Sequence, residues 1–182
     1  MRLDRRGFLL GLAAAPLARP SLAAAGDARQ PFDAPEFAKA TTWVNSDPLS
    51  MARLRGKVVV VHFWTYGCFN CVHNYPAYNA WIKAYAKKDV VIVGIHTPEF
   101  ASEKNLDIIR AQAKANGLTF PIAVDNNRDN WDAWGNSVWP TVYIADKRGK
   151  VRFLWQGELN WKGAKGQSDA AQTIDAMLKE HA

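Results

Sequence analysis

The sequence predicts an α/β fold, a central mixed sheet covered by helices on both faces. Three observations predict it. Val58-Val59-Val60-Val61-His62-Phe63-Trp64 is apolar on both parities, as a central strand buried from both sides must be. Helix-like and strand-like segments alternate after it, which implies parallel crossovers. Asp146-Lys147-Arg148-Gly149 then separates two apolar runs, the signature of a closing antiparallel hairpin.

The first 25 residues stand apart from that fold. Arg5-Arg6-Gly7-Phe8-Leu9-Leu10 is a twin-arginine pattern, followed by an apolar stretch through Leu17 and the small-residue site Ala23-Ala24-Ala25. This reads as an export signal cleaved near Ala25–Gly26, by the twin-arginine route or the general one. The stretch is too short and too rich in Ala and Gly to span a membrane. The signal holds Arg2, Arg5, Arg6 and Arg19 against Asp4, so half of the formal charge of +6 resides there. What remains has no Lys/Arg run, so no nucleic-acid partner is expected. Residues 26–48 form a leader with a first strand, and residues 49–182 form the main domain, long enough to bury its own core.

Within that layout the elements follow in order. Gln30–Ala40, with Pro31 and Pro35, reads as a loose leader, and Thr41–Asn45 as a short strand. After the strand at Val58–Trp64, Val72, Tyr75, Tyr78, Ile82 and Tyr85 recur at helical spacing, with Pro76 expected to kink that helix. Val90–Ile95 is a second buried strand. Ser102 is placed to cap a helix reaching Asn116, with Leu106, Ile109 and Ala113 inward and Gly117 as its stop. Phe120–Val124 is a short strand and Asp129–Trp134 a helical turn. Thr141–Ala145 and Lys150–Gln156 form the hairpin. Ser168 opens a last helix with Ala171, Ile174 and Leu178 on one face.

The chemistry concentrates where the first long strand gives way to its helix. Cys68 and Cys71 are the only cysteines, and they sit three residues apart at that junction. A thiol at a helix N-terminus feels the positive end of the helix dipole, which favours thiolate. A thiol one turn later is placed to close a disulfide on it. A purely structural bridge gains stability by closing a long loop, and two intervening residues close almost none. The pair therefore points to thiol–disulfide exchange. His73 lies two residues past Cys71, which excludes the haem-attachment pattern. Zinc would need Cys68, Cys71, His62 and His73 to converge from opposite faces of a strand and a helix, so neither a metal nor any other cofactor is expected.

With Phe63-Trp64-Thr65-Tyr66-Gly67-Cys68-Phe69-Asn70-Cys71, Pro76 and Trp139-Pro140-Thr141 in view, the sequence resembles the thioredoxin superfamily, in its exported TlpA/DipZ-like branch. Gly94-Ile95-His96-Thr97-Pro98-Glu99-Phe100 and Asp125-Asn126-Asn127 are similar to the DipZ-type domain. The resemblance runs from about Leu49 to Gly157. It implies a thioredoxin-like fold with a helix inserted after the second core strand. It implies Cys68 as the attacking thiol and Cys71 as the resolving one. Pro140 then matches the superfamily's cis-proline, with Trp139, Thr141, Phe69 and Asn70 shaping the substrate edge.

His62 stands where many thioredoxins carry a buried acid, and is either a proton relay to Cys71 or a core histidine. Glu99, after a strand end, is either an acid near the cysteines or a solvent-facing residue. Asn74 replaces a Glu found in the TlpA branch. Function by resemblance is reduction of disulfides in envelope proteins or apocytochrome c. The partners are then disulfide-bearing client proteins and, for a reductant, a separate membrane thiol electron carrier, in a periplasmic or otherwise exported setting. An oxidase or isomerase and a non-catalytic peptide-binding module with a static disulfide are the rival readings. The Phe69-Asn70 dipeptide matches neither the reductases nor the isomerases, and no motif supports a thiol peroxidase.

Overall fold

The computed structural model describes residues 30–37, 39–40 and 42–181; the export signal expected over 1–25 lies outside the described residues. The strands are β1 (Phe32–Asp33), β2 (Trp43–Val44), β3 (Val58–Trp64), β4 (Val90–His96), β5 (Ile122–Val124), β6 (Thr141–Ala145) and β7 (Lys150–Gln156). The helices are α1 (Phe69–Tyr85), α2 (Leu106–Ala115), α3 (Asp129–Ala133) and α4 (Gly166–Lys179). The strands make one mixed sheet in the order β1-β7-β6-β3-β4-β5-β2. Only β3–β4 and β4–β5 pair in parallel. The hairpin does more than add an edge: β6 pairs antiparallel with β3, opposite β4, so β3 is hydrogen-bonded on both sides.

Strand parity in β3 divides the core. Val58, Val60 and Trp64 face α1, α2 and α4, meeting Tyr78, Ile109, Ile174 and Met177. Val59, Val61 and Phe63 face the other way, onto Met51, Leu54, Trp131, Trp134 and Tyr143. Every residue of β3 is buried, as its unbroken apolar pattern requires.

Several elements differ from their sequence patterns. The leader contributes a strand after all. Phe32 pairs opposite Val151, Ala34 N–H donates to Gly149 O at 2.9 Å, and Lys150 meets Asp33 at 2.8 Å. Two residues between prolines are too few to show a period of two. The inserted helix starts later than Ser102. Ala101–Lys104 is a separate 3₁₀ turn, and Asn105 caps α2, its side chain accepting from the N–H groups of Asp107 at 2.9 Å and Ile108 at 3.2 Å. Helix α4 begins at Gly166 and buries Ala170, Ile174 and Met177, so Ala171 and Leu178 lie one step round from the buried face. Helix α1 is a single element through Pro76, which faces solvent.

Gly94 is required by its neighbours in the sheet. A Cβ there would stand 2.8 Å from Phe120 Cε2 and 3.1 Å from His62 Nε2. The absent side chain leaves room for the His62 ring, which stacks on Tyr78 at 4.1 Å and meets the edge of Phe120 at 4.7 Å.

Candidate active site

Three chain segments meet at one end of the sheet's central strands. Trp64, the last residue of β3, lies opposite His96, the last of β4, while Thr141, the first of β6, lies opposite Phe63. From Trp64 the chain turns through Thr65-Tyr66-Gly67 and enters α1 at Cys68, its N-cap residue. Cys68 N–H donates to Thr65 O at 3.3 Å, and Cys68 O accepts from Cys71 N–H at 3.0 Å. The two thiols therefore occupy successive corners of the first helical turn, Cys68 half-buried and Cys71 fully buried.

Their environments drive the two thiols apart. Cys68 is held below the ordinary thiol value, chiefly by a hydrogen bond from the Cys71 thiol and also by the N–H groups of Cys71 and Asn70; burial and the Glu99 charge oppose this. Cys71 is pushed far above it, first by burial and then by the Cys68 sulfur beside it. One sulfur is thus prepared as a thiolate while the other keeps its proton, the division that nucleophilic attack followed by resolution requires.

Around the pair, Trp139–Pro140 is a cis peptide bond. Pro140 is buried, and its carbonyl accepts from Gly157 N–H at 2.7 Å. Thr141 is buried and donates to Val138 O at 2.8 Å. Trp139 is partly buried, donates from Nε1 to Thr97 O at 3.1 Å and packs against Trp131, the ring centroids 4.0 Å apart and the planes tilted by 36°. Phe69 is 73% exposed, with Asn70 beside it also exposed. Phe100 and Val138, both exposed, add apolar surface on the other two loops of this end.

The two candidate proton-transfer residues part company. Glu99 is exposed, and its charge reaches Cys68. His62 is fully buried with neither ring nitrogen hydrogen-bonded, so no such bond joins it to Cys71, and burial pushes its pKa down to about 3. Asn74 is buried and spends its amide on structure, accepting from Leu159 N–H at 2.8 Å and donating to Gly157 O at 3.3 Å.

Four residues to which the sequence reading gave no role of their own complete the site. Glu103 is buried, and its Oε2 accepts from Thr65 Oγ1 at 2.7 Å and from Glu99 N–H at 2.7 Å. Thr65 Oγ1 also lies 3.2 Å from His96 Nε2. Burial pushes His96 down to about 4, against the opposing pull of Glu103. Tyr66 covers this group, stacked on His96 at 5.6 Å with its hydroxyl donating to Ser102 O at 2.8 Å. Periodicity gave no sign of Glu103, which sits on a 3₁₀ turn. The available sign was three polar residues at one end of the sheet: Thr65, His96 and an acid shortly after His96.

The AhpC/TSA family matches residues 32–154. Protein DipZ of Mycobacterium tuberculosis is 38% identical over 128 residues, which are 69% of this chain and 18% of DipZ. The chain thus spans about a fifth of that relative's length. Thiol-disulfide oxidoreductase YkuV of Bacillus subtilis is 28% identical over 129 residues, 71% of this chain and 85% of YkuV. Among solved structures, a thioredoxin-like protein in its oxidised form superposes with a TM-score of 0.68 at 26% identity, covering 86% of this chain and 99% of that one.

Proposed function

Because the chain belongs to the AhpC/TSA family and is a DipZ-like member of the thioredoxin superfamily, we propose that it reduces disulfides of other proteins through Cys68 and Cys71. The observation that carries this reading is the opposite electrostatic treatment of two thiols on one helical turn. The Cys68 thiolate attacks one sulfur of a client disulfide. The client S–S bond breaks, a Cys68–client bond forms, and the other client sulfur leaves with the electron pair and gains a proton. Cys71 then loses its proton and attacks Cys68 Sγ. This closes Cys68–Cys71 and frees the second client thiol. Two electrons pass to the client, and a dithiol donor must return them for the next cycle.

The client segment is assigned to the loop at Val138, Trp139 and Pro140, with Phe69 and Phe100 as apolar contacts. Helix N-terminal N–H groups support thiolate there, and the loops at the ends of β3, β4 and before β6 meet at this end of the sheet. Export through the Arg5-Arg6 signal would place the clients in the cell envelope, apocytochrome c among them, with a membrane thiol carrier as donor. Among the described residues no helix is long and apolar enough to cross a membrane.

The test is a trap. Cys71→Ser should accumulate mixed disulfides with envelope proteins, and Cys68→Ser should give none. Recovery of no adduct from Cys71→Ser overturns the reading. Direction is tested by equilibrating the pair with dithiol buffers. A potential near or below about −230 mV supports reduction, and one above about −160 mV reverses it.

A further inference from the structure

We infer that Arg128 sets client specificity: its guanidinium, carried over the indoles of Trp131 and Trp139 beside Pro140, receives an acidic side chain of the client segment whose disulfide Cys68 attacks. The inference rests on the exchange reading above and names the chemistry of the segment that this site prefers.

Arg128 stands on the loop between β5 and α3, in a left-handed backbone conformation (φ 66°) that residues other than Gly, Asn and Asp seldom adopt. Its N–H donates to Asp125 O at 3.0 Å. Asp125 is tied in turn to the end of β4 and the loop after it. Its N–H donates to His96 O at 2.9 Å, and its Oδ2 accepts from Thr97 Oγ1 at 2.9 Å. Thr97 also holds Trp139, whose indole N–H donates to its carbonyl. One set of bonds therefore places both Arg128 and Trp139, at the end of the sheet where α1 presents Cys68.

The guanidinium carbon lies over both indoles, 4.5 Å from the ring centre of Trp131 and 5.3 Å from that of Trp139. Both distances are within cation–π range. The rings attract the charge and supply no lone pair, so the five N–H donors of the fork are left over. Among the described residues no carboxylate takes them. Asp129, next in the chain, is engaged by Lys39 at 3.1 Å. Asp125 is engaged by the N–H groups of Asn130 and Trp131 and by the Thr97 hydroxyl. Arg128 is only half-buried, so it is open to a partner from outside. A planar fork that keeps its charge and its donors matches a carboxylate in two parallel bonds.

The surroundings of Cys68 decide where on the client the acid belongs. The Glu99 charge opposes the Cys68 thiolate, and a client carboxylate brought beside it would be repelled too. Glu103 fixes the backbone that carries Glu99, accepting from its N–H at 2.7 Å. The other oxygen of Glu103 fills the space beside Gly67, where a Cβ would overlap it. The turn before Cys68 is thereby packed onto the Glu99 loop. Two opposite charges thus stand at this end of the sheet, Glu99 near Cys68 and Arg128 over Trp139. A client acid on the Trp139 side of the reacting cysteine gains an ion pair, and one on the Glu99 side meets repulsion.

The experiment mixes reduced protein with short peptides whose single cysteine is activated as a thiopyridyl disulfide. Cys68 attacks the peptide sulfur and the S–S bond to the pyridyl group breaks. Pyridine thione leaves with the electron pair and takes up a proton, and its absorbance gives the rate. Cys71 then displaces the peptide thiol. One Glu is moved through the three positions on each side of the cysteine, and each peptide is compared with its Gln counterpart. At low salt wild type should favour Glu over Gln by about fivefold on one flank, with no preference or the reverse on the other. The preference should shrink as salt rises. Arg128→Asn, which suits the left-handed backbone, should bring the Glu/Gln ratio to about one. Arg128→Asp should favour a Lys peptide at the same position. Lys114→Gln removes one exposed charge from α2 and should keep the wild-type ratio.

Equal rates for Glu and Gln at every position in wild type overturn the inference. So does a ratio that survives Arg128→Asn. If Arg128→Asn slows both peptides equally, Arg128 merely braces Trp139 and the inference falls. Thione release as fast in Cys68→Ser as in wild type takes down the exchange reading and this inference together. Release that needs Cys68 but ignores peptide charge takes down Arg128 alone.

Discussion

His62 carries two ring nitrogens into a site that offers neither a hydrogen bond. Folded, it takes up a proton only near pH 3; unfolded, it does so near 6.5. Between those values the unfolded chain binds more protons, so stability falls as pH falls. The loss from His62 between pH 7.5 and 5 is about 2 kcal/mol. His96, pushed down to about 4, adds a loss of the same sign. Denaturant melts at both pH values should show this fall, and His62→Leu should flatten it. An equal slope in wild type and variant would assign the pH dependence elsewhere. The position was visible in the sequence as a polar residue within an apolar strand. What was not visible is that Gly94, Tyr78 and Phe120 enclose the ring.

At the scale of elements, two short polar side chains fix where helices begin. Asn105 caps α2 with two hydrogen bonds on the surface. Asp125 is buried and anchors the start of α3, accepting from the N–H groups of Asn130 at 2.9 Å and Trp131 at 3.0 Å and from Thr97 Oγ1 at 2.9 Å. Asn105→Ala should cost about 1 kcal/mol. Asp125→Ala strands buried donors on two elements and should cost roughly 3 kcal/mol. Thermal unfolding of the two variants should rank them in that order, and a reversed order would contradict the burial argument. Long periodic elements were legible from sequence: β3, α1, β4 and the hairpin all stand where their patterns put them. The misses share a cause. Phe32–Asp33 and the turn at Ala101–Lys104 are shorter than the periods used to find strands and helices. Their positions are set by partners distant in sequence, Val151 for the one and Thr65 for the other. The cysteines could be read because two identical residues at one spacing carry a chemistry. Glu103 could not, because its chemistry exists only after β3, β4 and the inserted turn have met.

Over the whole molecule the two thiols couple fold stability to redox state and pH. Cys68 is held down in the folded reduced protein, so it adds stability that is present above its unfolded value and lost as pH falls. Cys71 is held up, so above about pH 8.5 the unfolded chain ionises it while the folded protein does not, and stability falls. The oxidised protein has neither contribution. The Tm of the reduced form minus that of the oxidised form should therefore rise from acid toward about pH 8 and turn over beyond it. Calorimetry of both forms across this range checks the sign, and a difference independent of pH would remove the thiolate from the folded state. The overlap of any Cβ at Gly67 with the Glu103 carboxylate has a consequence on a longer timescale. A change at one position is felt at the other. A lineage that gains a side chain at 67 must shift, shorten or lose the acid at 103 and with it the bonds to Thr65 and Glu99, so among descendants of this fold the two positions should tend to change together.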